Sequence, residues 1–277
     1  MASCIIPSKF IPYCSPAILA DGDNFAIKIA ETPAELEAAQ RLRYDIFKSE
    51  QGRMGHMTQA VEGVDSDEYD QYCIHLVVLD KNRSNQIVGT YRVHPGVIAK
   101  TGIGFYSSSE YDIANIDDVA ESVLEYGRSC VAADYRNGAV VSLLWSGISE
   151  LHRRTKARYM LGCVSLETVD PVIGWAVYRH ALGMCRAVES VVRGTPRPGY
   201  ALPFPGEEAI DEFRRNHWDE LLAHLPPLLK GYLRLGASLS GEPVLDADFG
   251  SIDFLIWLDI KNIPERYLRH FMNGVEV

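Results

Sequence analysis

The sequence contains no apolar run near the roughly 20 residues that span a bilayer, and its first twenty residues lack the basic start and unbroken apolar stretch of a secretory signal. The chain is therefore read as cytoplasmic. Its six cysteines, Cys4, Cys14, Cys73, Cys130, Cys163 and Cys185, form no CxxC pair, which argues against a disulfide framework and a structural zinc site. Reduced, mostly buried thiols are the reading, with no metal site. Positive charge is scarce: 27 Lys plus Arg stand against 37 Asp plus Glu, a formal net charge of −10, which argues against general binding to nucleic-acid phosphates. No internal repeat or low-complexity tract occurs, and no Gly-rich turn follows the first strand as a dinucleotide-binding fold would require.

What is present is ordinary globular material, 277 residues at 47% hydrophobic and 23% charged, enough for one substantial core. Residues 25–31 alternate apolar and polar as a short strand does. Thr32-Pro33-Ala34-Glu35 then combines a capping box with proline at the first helical position. A helix is predicted from there to about Ser49, with Leu36, Ala39, Leu42 and Ile46 on its core side. The polar, acidic stretch 50–70 is long for a passive connector. Strands are predicted at 72–80 and 87–94, joined as a hairpin, and at 123–133. Asn137 can cap a helix to about Arg158, whose Val141, Leu144, Trp145, Ile148 and Leu151 form an apolar stripe. A strand at 159–167, a helix opened by Asp170-Pro171, a charged helix at 207–225 and a buried strand at 251–260 complete an α/β order with a mixed sheet.

The densest chemical signal is Leu124-Glu125-Tyr126-Gly127-Arg128-Ser129-Cys130-Val131. Positions three apart on a regular strand face opposite sides. If Glu125 and Arg128 serve one site, a bulge near Gly127 must turn one of them round. The alternative is one exposed charge on each face, or a structural ion pair.

Several separate stretches resemble a known family. Arg43 with Phe47, Asp67-xx-Asp70, Arg92 and Glu125-xx-Arg128 repeat the order of signature residues in the acyl-homoserine-lactone synthases, which have the GNAT N-acyltransferase fold. The wider wording, with His75-Leu, Glu125-xx-Arg128-Ser-Cys-Val, Leu144-Trp145-xx-Ile148, Gly162-Cys-Val-Ser165-Leu and the 228–236 and 241–255 stretches, is more similar to the ornithine-lipid type acyl-ACP N-acyltransferases, the hemolysin-like GNAT family. The resemblance implies an α/β fold with a GNAT-like mixed central sheet flanked by helices, splayed fourth and fifth strands, and a C-terminal extension. It implies residues 1–24 as an N-terminal extension and 25–270 as one acyltransferase domain, with 194–250 a family-specific helical insertion.

The implied activity is transfer of a fatty acyl group, preferably 3-hydroxyacyl, from the phosphopantetheine thioester of acyl carrier protein to an amino-acid amine, ornithine being favoured. The acyl carrier protein is then a partner and its thioester a co-substrate, no cofactor is bound, and the work is done at or near the inner membrane face. Such a reaction needs a neutral amine, donors for an oxyanion and a route for a proton. Glu125 is the candidate for assisting deprotonation. Arg128 pairs with the acceptor carboxylate or holds Glu125. His75 lines the transfer site or is a satisfied core histidine. Arg43, Asp67, Asp70 and Arg92, with Phe47, build the acceptor side, or else order the long loop. Ser165 and Tyr178 are candidates to protonate the leaving thiolate, and Asp246, Asp248 and Asp253 to hold a side-chain ammonium.

On the donor side the resemblance implies unpaired backbone about Cys130 and Val131 for the pantetheine amides. Arg136-Asn137-Gly138-Ala139 would supply the phosphate-binding turn at a helix N-terminus. Only half of the Q/R-x-x-G-x-G/A pattern is kept there, which weakens the case for the pyrophosphate of coenzyme A and is tolerable for a carrier protein's single phosphate. Trp145, Phe105 and Trp175 either line an acyl tunnel or pack the core. The carrier, itself acidic, would dock on His152-Arg153-Arg154-Thr-Lys156-Ala-Arg158, or that run merely complements its own helix dipole. Cys73 with His75 superficially suggests a thiol nucleophile, but strand neighbours i and i+2 point in parallel and no orienting third group is evident. The rival readings are lactone synthesis, against which no tryptophan occurs between Phe47 and Asp67, and a non-catalytic acyl- or carrier-binding module on a GNAT scaffold.

Overall fold

A computed structural model describes residues 8–50, 63–136, 138–185 and 190–267. Its centre is a mixed sheet of the GNAT type. Strands β1 (Ile18–Asp21), β2 (Phe25–Ile29), β3 (Ile74–Asp80), β4 (Gln86–Pro95), β6 (Val123–Val131), β7 (Tyr159–Leu166), β11 (Ser251–Asp259) and β10 (Val244–Asp246) lie side by side in that order, and β9 (Ser238–Leu239) adds to β11. A second, two-stranded sheet pairs β5 (Tyr111–Ala114) with β8 (Arg193–Pro196). All neighbours in the large sheet are antiparallel except β6 and β7.

The sheet is covered on both faces, which is why β3, with Ile74, Leu76, Val77 and Val78, reads as a continuous apolar run rather than an alternating one. Helix α4 (Ala139–Thr155) lays Val140, Leu144, Ile148 and Leu151 across Ile27, Leu76 and Val88 on one face. Helix α1 (Pro33–Tyr44) closes the other with Ala39 against Val77. Both ends of the expected box are made at its start: Glu35 N–H donates to Thr32 Oγ1 and Thr32 N–H to the Glu35 carboxylate. The predicted helix to Ser49 is present, widening to π geometry over Asp45–Glu50, but Leu36 and Leu42 are only half-buried and Arg43 is wholly buried.

Helix α5 (Pro171–Met184) begins where Asp170 accepts from Val172 N–H. The charged helix predicted at 207–225 is two helices, α6 (Glu207–Asn216) and α7 (Trp218–His224), because His217 leaves helical geometry at φ −126°, ψ 41° and stacks on Phe213. Helix α8 (Pro227–Leu235), not predicted, follows, so the 194–250 stretch mixes short strands with helices. Short α2 (Gly96–Thr101) and α3 (Ile116–Val119) sit between β4 and β6. Among the described residues no helix is long and apolar enough to cross a membrane.

Two irregularities of β6 shape the interior. Its pairing with β7 covers only Val123, Leu124 and Glu125 against Tyr159, Met160 and Leu161. Beyond that the strands part, and the last close approach is at Gly162, where a Cβ would lie 2.3 Å from the Tyr126 carbonyl oxygen. On the other edge, Thr90 pairs with Cys130 but Arg92 with Gly127, so β6 carries one extra residue there. That bulge places Arg128 at φ +50°, while Gly127 stays outside the left-handed region.

Candidate active site

The parting of β6 from β7 opens a cavity of about 250 Å³. Glu125 and Arg128 both line it, because the bulge reverses the alternation that would have set them on opposite faces. Neighbours in sequence line it together as well, Tyr91 with Arg92 and Glu125 with Tyr126. Adjacent strand residues point to opposite faces, so the cavity passes through the sheet.

One wall is a network of paired charge. Arg43 donates to both carboxylate oxygens of Asp70, at 3.1 and 2.6 Å, and to the Asp65 carbonyl at 2.5 Å. Arg92 donates to Asp67 at 2.5 Å and Asp70 at 3.0 Å, and Gln40 reaches Asp70 at 2.7 Å. Burial opposes the Asp70 anion, but the Arg43 and Arg92 charges outweigh it and hold its carboxyl far below the usual range; Arg92 and Arg128 do the same, less strongly, for Asp67. Arg128 is tied more loosely, 3.2 Å from the Tyr106 hydroxyl and 3.5 Å from carboxylate oxygens of both Asp65 and Asp67. Arg92, Arg128 and Phe47 line the cavity, while Arg43, Asp67 and Asp70 stand behind it. Phe47 meets Phe249 edge to face, with centroids 5.8 Å apart.

Glu125 is buried, with one carboxylate oxygen accepting from Tyr106 N–H and the other from Ser107 N–H, each at 2.7 Å. Burial raises its pKa, but His94 and the Ser107 amide outweigh it, so the group sits below its ordinary range as a fixed anion. The register of β4 on β6 sets His94 directly opposite Glu125, with Nδ1 3.5 Å from the carboxylate. That is too long for a well-formed hydrogen bond. Neither ring nitrogen of His94 has a hydrogen-bond partner, and the ring lines the cavity at 3% exposure. The sequence reading missed His94. Its signal was Thr90, Arg92 and His94 recurring at period two in an otherwise apolar strand.

His75, expected at the transfer site, does not line the cavity. It lies one strand further on, opposite Arg92, where Nε2 meets the Asp70 carbonyl at 2.9 Å, and burial pushes its pKa down to about 4. Cys73 does line the cavity, but burial drives its thiol far up, away from the thiolate a nucleophile requires.

The wall opposite the arginines is acidic. Glu110, Asp246 and Asp253 line the cavity beside Cys163 and Ser165. Burial first, then Asp253 and Asp246, push Glu110 well above the usual carboxylate range. Ligand atoms of Glu110, Cys163 and Asp253 lie within 4.8 Å of one another, a spacing at which they could hold a cation.

The expected donor-side residues are spread along the other end of β6. Cys130 and Val131 pair with Thr90 and Gly89 past the last residue joined to β7, and neither lines the cavity. Exposed Arg136 donates from Nε to the Val131 carbonyl, Gly138 takes φ +89° before α4, and Asn137 lies outside the described residues. Trp145 lines a separate small apolar cavity with Ile148, Met160 and Tyr267, and stands edge-on to Tyr232, whose hydroxyl meets that of Tyr91 at 2.7 Å. Phe105 and Trp175 are core residues and Tyr178 stacks on Phe254. The basic run 152–158 is largely consumed internally. His152 is buried, Arg153 and Arg154 bind Glu150 at 2.7 Å, Arg154 also reaches the Pro16 carbonyl, and Arg158 holds Asp259.

The acetyltransferase (GNAT) domain family matches residues 42–146 of this chain. The chain is 36% identical over 261 residues to an L-ornithine N(alpha)-acyltransferase of Brucella abortus, covering 90% of this chain and 89% of that one. It is 33% identical to the protein of the same name in Agrobacterium fabrum, covering 90% of this chain and 85% of that one. Among solved structures it resembles the AHL synthase LasI at a TM-score of 0.49 and 12% identity, over 92% of this chain and 98% of that one. With identities above 30% across nine-tenths of its length, the chain belongs to the L-ornithine N(alpha)-acyltransferase family and is an acyltransferase on a GNAT scaffold.

Proposed function

We propose that the protein moves a fatty acyl group, preferably 3-hydroxyacyl, from the phosphopantetheine thioester of acyl carrier protein to the α-amino group of L-ornithine. The relatives' names specify the acceptor and the nitrogen. The observation that carries the reading is the cavity through the sheet, with Arg92, His94 and Glu125 towards one face and Tyr91 and Tyr126 towards the other. Acceptor and thioester arm then meet from opposite faces in a ternary complex, and no acyl-enzyme is needed.

In this reading His94, rather than Glu125, takes the proton. Both Glu125 oxygens are occupied by backbone N–H donors and its basicity is lowered, so it serves as the anion behind His94 Nδ1. The unpartnered Nε2 of His94 accepts a proton from the α-ammonium, whose pKa in water is about 8. The neutral nitrogen attacks the thioester carbon, the C–N bond forms, and as the C–S bond breaks the second proton of that nitrogen passes through Ser165 or water to the sulfur, which leaves as the thiol, while His94 returns its proton to solvent. Arg128, loosely held at 3.5 Å, has donors left for the acceptor's carboxylate. Arg43, Asp67, Asp70 and Arg92 fix the loop that holds it, and the turn before α4 offers helix N–H groups to the carrier's phosphate.

The test is purified protein with 3-hydroxyacyl carrier protein and a pool of amino acids, products being read by mass spectrometry. N-acylornithine is expected. Consumption of acyl-CoA with the acyl carrier untouched overturns the donor assignment, and acylation of another amino acid in preference to ornithine overturns the acceptor assignment.

A further inference from the structure

The charge on the two walls of the cavity is managed in opposite ways. On the arginine side Asp65 and Asp70 pair with Arg43 and Asp67 with Arg92, and Glu125 is matched by two backbone N–H donors. On the other side no ion pair joins Glu110 or Asp246 to a lysine or arginine among the described residues, although both are buried. Glu110 Oε2 has no hydrogen-bond partner at all, and the residue is 1% exposed. A buried carboxyl oxygen left unmatched is costly, and three acids around one space raise that cost further. A cation entering the cavity relieves both.

We propose that Glu110, Asp246 and Asp253 form the subsite for the side-chain ammonium of the acceptor, and so select an amino acid with a second amine on a short methylene chain. This rests on the acceptor side of the function proposed above. An ammonium offers three N–H donors, which matches three acceptor groups converging on one space. The location fits the chemistry. Ser107 N–H binds Glu125, Ser107 Oγ stands 3.6 Å from Cys163 Sγ, and Glu110 N–H binds the Ser107 carbonyl at 3.3 Å. One short turn therefore carries both the anchor behind His94 and Glu110 of the acidic subsite.

The experiment compares ornithine with norvaline, which has the same carbon chain without the terminal amine, in the wild type and in Glu110→Gln and Asp246→Asn. Ornithine is expected to be strongly preferred by the wild type. Each substitution is expected to lower the ornithine-to-norvaline ratio of kcat/KM by about 10- to 100-fold, through a higher ornithine KM. Calorimetry of ornithine binding is expected to show about 10- to 100-fold weaker affinity in Glu110→Gln than in the wild type, which does not depend on turnover. A wild type that prefers ornithine together with two folded variants that keep its ratio overturns the subsite and leaves the proposed function intact. A wild type that acylates neither compound overturns the acceptor reading and the subsite with it. A preference abolished by EDTA and restored by a divalent cation assigns Glu110, Cys163 and Asp253 to a metal and overturns the subsite.

Discussion

Two glycines 35 residues apart, Gly127 and Gly162, test the geometry of the opening in the sheet. At Gly162 an added Cβ would sit 2.3 Å from the Tyr126 carbonyl oxygen, backbone on both sides, so nothing flexible can yield. Restoring normal contact requires the β6–β7 seam to move by about 1 Å, an overpacking cost of about 1–3 kcal/mol. Gly162→Ala should lower Tm by about 3–10 °C and, because a displacement of that size beside reacting groups can cost about 100-fold, should lower kcat by that order. Gly127 is the contrast. An added Cβ meets nothing within 4 Å, and its backbone lies outside the left-handed region. Gly127→Ala should leave Tm unchanged or raise it slightly, since the loss of unfolded-state freedom favours alanine by about 0.4–1 kcal/mol. Thermal melts and single-turnover rates of both variants decide the matter. A harmless Gly162→Ala beside a damaging Gly127→Ala would refute the register on which the opening and the bulge are argued.

Three further outcomes follow from the site. Asp70→Asn leaves two buried guanidinium groups short of their shared partner and should cost about 3–5 kcal/mol, read by chemical denaturation. Because the folded carboxyl titrates below its ordinary value of 3.8, its stabilisation is complete above about pH 4 and is lost as pH falls below that; the acid limb of stability against pH should be shallower in Asp70→Asn, and an unaltered limb would contradict the pairing. His94→Asn should reduce kcat by about 10²–10⁴-fold near pH 7 and recover towards pH 9 as the amine loses its own proton; a variant with a wild-type pH–rate profile would remove His94 from the proton route. Cys73→Ala should turn over as the parent does, given a thiol that burial keeps protonated, whereas a loss beyond about 100-fold would restore a covalent route.

The elements that were legible from the sequence are those whose determinants are local. The capping box at Thr32–Glu35, the Asp170-Pro171 start and the apolar stripe of α4 each lie within a few residues; the first two stand where they were expected, and in α4 Leu144, Ile148 and Leu151 are buried while Val140 takes the place expected of Val141, which is 40% exposed, and Trp145 is only partly buried. The need for a bulge near Gly127 was legible too, since Glu125 and Arg128 three apart cannot otherwise share a face, but the residue that takes the positive φ was not. Glycine drew attention as the residue that tolerates a positive φ, yet the chain puts Arg128 there, where its loose contacts with Tyr106, Asp65 and Asp67 hold it. Helix α8 and strands β5, β8, β9 and β10 were missed because they are short and owe their form to partners far away in sequence, as Tyr111 does in reaching the Asp253 carbonyl.

The same division separates His75 from His94, and it explains why one was chosen over the other. Both lie on apolar strands, both are buried, and both are flanked by residues of the charge network, so composition cannot rank them. What ranks them is cross-strand register: His75 falls opposite Arg92 and bonds to the Asp70 carbonyl, whereas His94 falls opposite Glu125 with its nitrogens unclaimed. A buried polar group whose partner is satisfied holds structure, and one whose partner is missing is waiting for something to bind. Arg43, Asp65, Asp67, Asp70 and His75 do not line the cavity and each holds a partner within the network, although Arg43 Nε, Asp65 Oδ2, Asp67 Oδ2 and His75 Nδ1 make no hydrogen bond, and these residues form the frame. His94 and Glu110 line the cavity with unmatched buried atoms, which is why the proposed reaction and its ammonium subsite are built on them.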